Sequence, residues 1–326
     1  MQSPIVSVCM ITYGHEKYIR EAIEGVLIQE CDFEIELILA NDCSPDRTDE
    51  IIQDIIKNHP KGCWIKYFKH ESNIGMMPNF IFAIKECEGK YIALCEGDDY
   101  WTDPLKLQKQ VDFLETNPDY VLCFHQVSIL KTNGELVDDF ISKVPKNYET
   151  IETLARLGNY IHTPSVVYRN IIKEFSFEFS QTPIGDYFLY MMLAEHGKLK
   201  FLEEKMAVYR NGVGVWSEKT EYFRNYKTAL VHAYLFEYFT GKENNFIPEI
   251  FLKRIKHFIM NFEIQISNED LLALSTNVSI RTHIFDLLLT NLKVLNKESI
   301  DEKKTEELVK IIFRRIKKRI WKKLFP

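Results

Sequence analysis

The chain has 326 residues, of which 46% are apolar and 27% charged, with a formal net charge of −6. This length exceeds what a single core usually accommodates, so we expect two domains or one large domain with an appendage. The acidic balance argues against nucleic-acid binding by the bulk of the chain. No apolar run reaches the roughly 20 residues of a membrane-spanning helix, and residues 1–4 do not begin a signal peptide.

Strand and helix signals alternate through the first hundred residues. Strands are predicted at 5–11, 35–40, 64–68 and 91–95, and helices at 17–29, around 51–56, at 79–87 and from 103 to about 117. Strands that alternate with helices of this length are typical of βαβ units and a parallel sheet. A further strand is predicted at 120–130, the region to 217 is mixed, and the pattern is helical from about residue 218.

The seven cysteines all lie in the first 125 residues, at an odd number and without C-x-x-C spacing. This pattern favours reduced, mostly buried thiols in a cytosolic protein over a zinc site or a disulfide framework.

An acidic run follows the predicted strand at 91–95. Glu96, Asp98 and Asp99 place three carboxylates within four residues. Carboxylates so close together repel one another, and a hard cation such as Mg²⁺ or Mn²⁺ is the usual reason that they persist. The alternative is a solvated acidic turn, since Gly-Asp is common in turns.

Polar clusters end three of the predicted strands, at 12–15, 41–46 and 96–99. A parallel sheet with right-handed crossovers brings such ends to one edge, where open α/β sheets bind ligands. The chain has neither a G-x-G-x-x-G nor a P-loop pattern, which argues against a dinucleotide or P-loop site. Residues 42–46 could equally form an ordinary helix entry, with Ser44 or Asp46 as the cap.

Several motifs in order resemble family-2 inverting glycosyltransferases. Four motifs are similar to the nucleotide-sugar-binding half of these enzymes: S-V-C-M-I-T-Y-G at 7–14, A-N-D-C-S-P-D-R-T at 40–48, N-I-G-M-M-P-N at 73–79 and L-C-E-G-D-D-Y-W at 94–101. Three more are similar to the acceptor half of a bacterial-type branch: H-T-P-S-V-V-Y-R at 162–169, G-D-Y-F-L-Y at 185–190 and Y-R-N-G-V-G-V-W-S at 209–217. The resemblance implies an α/β, GT-A-like fold, with a mostly parallel central sheet flanked by helices. It implies a donor half at 1–103 and an acceptor half at 104–217. Residues 218–326 fall outside the resemblance, and their pattern predicts a helical C-terminal region.

The resemblance also implies roles for the matched positions. Thr12 and Tyr13 would line the nucleoside pocket, Asp42 would recognise the base, Asn73 would contact the donor, Asp98 would lie near the ribose, and Asp99 would hold a Mn²⁺ or Mg²⁺ ion that bridges the donor diphosphate. Glu96 stands where the family often has Asp, so its longer arm could shift its contact.

Asp186 resembles the family's catalytic base. The competing interpretation is that Asp186 caps the helical run at 187–195. The family commonly has a histidine after Y-R, but Asn211 follows Arg210 here. Without that histidine, two arrangements are open. Arg210 and a flap at 212–216 that includes Trp216 could bind the donor phosphates instead, or the metal ion could be bound more weakly. A turn anchored by one aromatic side chain explains the same residues. Trp101 could line the donor site or belong to the core.

Residues 303–326 contain ten Lys or Arg residues against two Glu, arranged around an apolar stripe. A basic amphipathic helix is typical of segments that lie on an anionic membrane surface. A docked terminal helix with a solvated basic face is the alternative.

These features together predict a metal-dependent inverting glycosyltransferase that moves a sugar from a nucleoside-diphosphate sugar to a hydroxyl of a glycan or lipid-linked acceptor. The resemblance favours UDP-sugars as donors and implies bacterial surface polysaccharide synthesis as the setting. The expected location is the cytoplasm, with peripheral attachment to the inner face of the cell membrane. The alternatives are a nucleotidyltransferase with the same acid-metal-phosphate site and a non-catalytic nucleotide-sugar-binding protein.

Overall fold

The computed structural model describes residues 5–213, 221–242 and 246–262. The chain divides into two compact units, residues 1–219 and 220–326. The elements of the first unit are β1 (Val6–Thr12), α1 (Ile19–Leu27), β2 (Ile35–Asn41), α2 (Thr48–Asn58), a 3-10 turn (Gly62–Trp64), β3 (Ile65–Lys69), α3 (Met76–Lys85), β4 (Tyr91–Leu94), β5 (Tyr100–Trp101), α4 (Lys106–Thr116), β6 (Tyr120–Leu130), β7 (Leu136–Asp138), α5 (Ile151–Leu157), a 3-10 turn (Thr163–Ser165), β8 (Val167–Arg169), α6 (Phe177–Gln181), α7 (Gly185–Leu193) and β9 (Lys198–Arg210).

The strands of this unit form one mixed sheet in the order β3-β2-β1-β4-β8-β6-β9-β5, with β7 beside β6. The pairs β1–β2, β2–β3 and β1–β4 are parallel, which confirms the predicted βαβ units. Strand β8 lies antiparallel between β4 and β6, and β9 runs parallel to β6 along most of its length. The α/β class is therefore as predicted, and antiparallel strands enter its second half.

The first strands are buried on both faces, as in parallel sheets that helices cover on both sides. All seven residues of β2 are buried. Helix α1 presents an apolar stripe to the sheet, with Ile19, Ile23 and Val26 fully buried. This core fixes the carboxyl ends of β1, β2 and β4 at one edge.

Helix α1 also sets the position of β5, directly after the acidic run. A Cβ atom on Gly25 would lie 2.8 Å from the backbone nitrogen of Trp101, so only glycine allows this close approach. Trp101 is 2% exposed, and its indole nitrogen donates to the carbonyl of Pro164 at 2.8 Å. Of the two roles considered for Trp101, the structure shows the core position.

The described part of the second unit contains two helices, α8 (Glu221–Phe239) and α9 (Phe246–Phe262). Leu235, Phe239 and Phe251 are fully buried within it. Among the residues that the structure describes, no helix is long and apolar enough to cross a membrane. The basic segment predicted at 303–326 lies outside the described residues.

Candidate functional site

Three loops meet at the carboxyl edge of the parallel strands, as predicted. The N–H of Asp42 donates to the carbonyl of Thr12 at 3.0 Å, and the N–H of Gly97 donates to the carbonyl of Ile11 at 3.0 Å. The N–H of His15 donates to Thr48 Oγ1 at 2.9 Å. The loops after β1, β2 and β4 are therefore joined by direct hydrogen bonds.

The loop after β2 contributes to these ties. Ser44 Oγ accepts the N–H of Gly14 at 3.0 Å, and Asp46 accepts the N–H of Glu16 at 3.0 Å. Asp46 also accepts the N–H of Thr48, the first residue of α2, at 3.1 Å. Asp46 thus supports the helix entry and holds the β1 loop at the same time.

The acid turn, residues Glu96–Asp99, gathers three carboxylates. One oxygen of each of Glu96, Asp98 and Asp99 lies within 4.8 Å of the others. Asp99 is 1% exposed; its Oδ1 accepts the backbone N–H of Arg210 at 2.8 Å, whereas its buried Oδ2 has no hydrogen-bond partner. A buried carboxylate oxygen without a donor is costly unless a cation or a proton satisfies it.

The electrostatics of the turn point the same way. Burial and the charges of Asp98 and Asp186 raise the pKa of Glu96 to about 8. Burial and Asp98 raise the pKa of Asp99 well above its usual range, although the N–H of Arg210 opposes this. The site therefore disfavours three negative charges, and a divalent cation would relieve that repulsion. This donor set fits Mg²⁺ or Mn²⁺.

Gly97 allows the turn to be this tight. A Cβ atom at Gly97 would lie 2.7 Å from Thr12 Oγ1 and 2.8 Å from His15 Nδ1. Thr12 Oγ1 and His15 Nδ1 are themselves 3.1 Å apart. Burial lowers the pKa of His15, while nearby Asp98 and Asp46 oppose that effect. The sequence reasoning missed His15, although its position three residues after Thr12 was a local signal.

Asp42 is held by the loop that carries the predicted Asn73. Its Oδ1 accepts the N–H of Ile74 at 2.7 Å, and its Oδ2 accepts the N–H of Gly75 at 2.9 Å. Gly75 adopts a φ of +94°, a conformation that favours glycine. Asn73 and Tyr13 are exposed at this edge, and their donor contacts remain predictions, as does that of Asp42.

Arg210 ties the acid turn to two other elements. Its Nη1 donates to the carbonyl of Asp98, and its Nη2 pairs with Glu21 Oε2 on α1. Its guanidinium lies 5.0 Å from the ring centre of Tyr18 and 4.6 Å from that of Tyr100. The guanidinium therefore holds the backbone of the turn in place, and its contact with the donor phosphates remains a prediction.

Asp186 lies in the first turn of α7. Its Oδ2 accepts from Asn159 Nδ2 at 3.0 Å and lies 3.4 Å from Thr163 Oγ1, and its Oδ1 accepts the N–H of Tyr187 at 2.7 Å. Ile184, not Asp186, occupies the N-cap position. Burial raises the pKa of Asp186, against these hydrogen bonds.

Asp186 is also close enough to Glu96 for its charge to raise the pKa of that side chain. The packing of α7 on α3 explains this placement, because a Cβ atom on Gly185 would lie 2.7 Å from Met77 Sδ. The structure thus brings the predicted base towards the acid turn.

Tyr209 is a second residue that the sequence reasoning left without a role. Burial and the charges of Asp99, Glu96, Asp98 and Asp186 together raise its pKa. Its phenol is therefore near enough to feel the charges of all four acids of the site. Trp216 and Gly214 lie outside the described residues, so the predicted flap stays a prediction.

Comparison with known proteins gives this arrangement a family context. The profile described as glycosyl transferase family 2 matches residues 7–176. An uncharacterized protein of Mycobacterium tuberculosis is 37% identical over 212 residues, which cover 65% of this chain and 60% of that protein. The match thus spans about 60% of the length of this relative. An uncharacterized glycosyltransferase of Methanocaldococcus jannaschii is 30% identical over 213 residues, which cover 64% of this chain and 72% of the relative.

Solved structures show the same fold. The S. aureus TarS fragment 1–349 in complex with UDP-GlcNAc superposes with a TM-score of 0.57 at 17% identity, covering 88% of this chain and 80% of that one. The mannosyltransferase PcManGT from Pyrobaculum calidifontis, in complex with GDP-Man and Mn²⁺, gives a TM-score of 0.53 at 12% identity, covering 99% and 89%. The predicted GT-A-like fold is confirmed.

Proposed function

The chain belongs to glycosyl transferase family 2, and from that premise we propose that this glycosyltransferase is metal-dependent and inverting. Its proposed donor is a nucleoside-diphosphate sugar and its proposed acceptor is a hydroxyl of a glycan or lipid-linked glycan. The observation that carries the proposal is the acid turn, in which three carboxylates converge within 4.8 Å and one buried oxygen of Asp99 has no partner.

The donor would lie across the carboxyl edge of β1, β2 and β4. Asp42 has both oxygens fixed by backbone N–H groups, so its carboxylate would present a rigid acceptor to the nucleotide base. Tyr13 is 47% exposed at the same edge and offers an aromatic face. The ligands of the two solved neighbours, UDP-GlcNAc and GDP-Man, support a nucleotide-sugar site without choosing the nucleoside. We favour uridine.

Asp99, with Asp98 and Glu96 beside it, would hold the divalent cation. Such an ion, when bound, offsets the negative charge that develops on a departing nucleoside diphosphate. Arg210 fixes the backbone of the turn, so the three carboxylates are preorganised for that ion. Preorganised charge of this kind needs no rearrangement during the reaction.

Asp186 would act as the general base. It takes the proton of the acceptor hydroxyl while the acceptor oxygen forms a bond to the anomeric carbon and the bond from that carbon to the phosphate oxygen breaks. A single in-line displacement inverts the anomeric configuration. A raised pKa makes the carboxylate a stronger base, and its three hydrogen bonds fix its direction.

The proposed biological setting is synthesis of a bacterial surface polysaccharide or related glycoconjugate at the inner face of the cell membrane. A relative named putative teichuronic acid biosynthesis glycosyltransferase TuaG, from Bacillus subtilis, is 30% identical over 138 residues, 42% of this chain and 52% of that one. The basic composition of 303–326 supports attachment to anionic lipid. Deletion of 303–326 should release the protein from phosphatidylglycerol vesicles, and an unchanged bound fraction would refute the attachment.

A thermal-shift panel tests the donor class. UDP, GDP, TDP and their sugars are added with and without Mn²⁺, because a ligand that binds only the folded form raises the melting temperature by mass action. We expect the ligands of one nucleoside to raise the melting temperature, and to do so only when Mn²⁺ is present. Release of nucleoside diphosphate from the matching sugar then distinguishes an enzyme from a binding protein. Transfer of a nucleotidyl group that survives Asp186→Ala would favour a nucleotidyltransferase.

A further inference from the structure

A partly buried polar cluster lies beside the 3-10 turn whose Thr163 contacts Asp186. Asp139 follows β7, Ser142 lies in the same loop, and His162 precedes the 3-10 turn Thr163–Ser165. His162 Nε2 lies 2.9 Å from Asp139 Oδ2 and 3.2 Å from Ser142 Oγ, and Ser142 Oγ donates to Asp139 Oδ2 at 2.7 Å. The side chains of His162 and Asp139 are only 10% and 8% exposed.

Asp139 is fully engaged within this cluster. Its Oδ1 accepts the N–H groups of Ile141 and Ser142 at 2.8 and 3.1 Å. Burial opposes ionisation, but the hydrogen bonds from His162 and Ser142 hold the pKa of Asp139 well below its usual range. An ionised, fully bonded carboxylate thus holds the His162 ring in one orientation, as satisfied buried networks do.

His162 is joined to the proposed base through the turn that follows it. The N–H and the hydroxyl of Ser165 both bond to the carbonyl of His162, at 3.0 and 2.6 Å. Thr163 Oγ1 lies 3.4 Å from Asp186 Oδ2. A displacement of His162 would therefore move the hydroxyl that contacts Asp186.

The same ring also contacts the donor side. It packs against Tyr209, with ring centres 5.0 Å apart. Tyr209 directly precedes Arg210, whose N–H donates to Asp99 Oδ1 at 2.8 Å. His162 thus contacts the segment that supports the acid turn, through Tyr209, and it is also bonded to the turn that contacts Asp186.

We propose that His162, held by Asp139 and Ser142, is a positioning residue that sets the spacing between the acid turn and Asp186. The inference rests on the proposed function, in which the acid turn anchors the donor and Asp186 activates the acceptor. Small errors in such spacing are costly, because the attacking oxygen must lie in line with the bond that breaks.

The test compares Asp139→Asn, His162→Ala and His162→Gln with a matched control, Asp138→Asn. Asp138 directly precedes Asp139 as the last residue of β7, and its side chain is 84% exposed and paired with Lys205. For each protein, calorimetry measures the Kd of UDP and GDP with Mn²⁺. The release of nucleoside diphosphate from UDP-GlcNAc and GDP-mannose gives kcat and KM.

We expect Asp139→Asn and His162→Ala to lower kcat by about 10-fold or more, the size of effect seen when groups that orient a site are removed. The Kd of the nucleotide should stay within about two-fold, since Arg210 keeps its own contacts with Asp99, Asp98 and Glu21 in these variants. His162→Gln, which can still place an N–H near Asp139, should recover part of the loss, and Asp138→Asn should behave as wild type. A lower melting temperature with unchanged kcat would show a purely structural pair and overturn the inference.

Hydrogen exchange gives a readout that does not need turnover. The backbone amides of Ser165 and Tyr187 should exchange faster in Asp139→Asn and His162→Ala than in Asp138→Asn, because both amides belong to the supported turns. Unchanged exchange at both amides would overturn the inference. A wild-type protein that binds a nucleoside diphosphate with Mn²⁺ but releases none from any sugar of that nucleoside would instead contradict the proposed function, while the exchange result still decides the role of His162.

Discussion

Lys106 gives a prediction whose size follows from the structure. The side chain is fully buried in α4, where its Nζ donates to Gln110 Oε1 at 2.8 Å and lies 4.0 Å from the ring centre of Trp101. Burial lowers the pKa of Lys106 from 10.5 to about 7.

The sign of the pH effect follows from proton binding. Between pH 7 and 10.5 the unfolded chain holds a proton on Lys106 that the folded protein has released, so stability rises with pH across this window. At 1.36 kcal/mol per pKa unit, the contribution of Lys106 to the free energy of unfolding should increase by about 2 kcal/mol between pH 7 and pH 9. Lys106→Met removes this dependence and adds a side chain of similar volume.

Urea unfolding of the wild type and of Lys106→Met at pH 7, 8 and 9 measures the effect, because contributions from other groups cancel in the difference. We expect the variant to be the more stable protein at pH 7, with its advantage shrinking by about 2 kcal/mol at pH 9. Lys131→Met, at an exposed pair with Glu135, is the control and should give a constant difference. A constant difference for Lys106→Met as well would refute the reasoning.

Further predictions concern the site. Asp186→Asn should lower the release of nucleoside diphosphate from a donor sugar by about 10²-fold or more while nucleotide binding is kept, and a loss below three-fold would contradict its role as base. Gly97→Ala should abolish Mn²⁺-dependent nucleotide binding measured by calorimetry, because the new methyl group would lie 2.7 Å from Thr12 Oγ1; wild-type affinity would show that the turn can adjust. Glu21→Gln should weaken Mn²⁺ binding several-fold by loosening Arg210, and an unchanged affinity would separate Arg210 from the support of the acid turn.

The sequence was most informative where local pattern and burial agree. The strand predicted at 120–130 has those bounds in the structure, and β1 to β4 lie within two residues of their predicted positions. Continuous β-branched runs bounded by turn residues carry this information locally. The helix predicted to begin near Asp103 starts at Lys106 instead, since Asp103 accepts the N–H of Leu105 before the first helical turn.

Helix α3 shows why boundaries are harder to predict. It begins at Met76, three residues before the predicted start, because Gly75 reverses the chain at a φ of +94° and Pro78 is tolerated in the first turn, where no intrahelical donor is needed. The antiparallel pairings of β5 and β8 left no signal in the sequence pattern. They depend on contacts between distant segments, such as Trp101 with Ala207.

The candidate site likewise contains contacts that the sequence predicts and contacts that it does not. The three carboxylates of the acid turn are neighbours in sequence, so their convergence was predictable. The support of that turn by Arg210 joins residues 111 positions apart, and the pair of Asp139 with His162 spans 23. No periodicity or local motif encodes such contacts, so these pairings could be identified only in the folded chain.

The most direct test of the central claim is a calorimetric titration of Mn²⁺ and UDP or GDP into wild type and Asp99→Asn. Asp54→Asn, at an exposed pair with Arg20, serves as the control. Nucleotide should bind wild type and the control only when Mn²⁺ is present, and Asp99→Asn should lose that Mn²⁺-dependent binding while remaining folded. Nucleotide binding of equal strength in EDTA, or wild-type Mn²⁺ dependence in Asp99→Asn, would contradict the claim that the acid turn anchors the donor through a divalent cation.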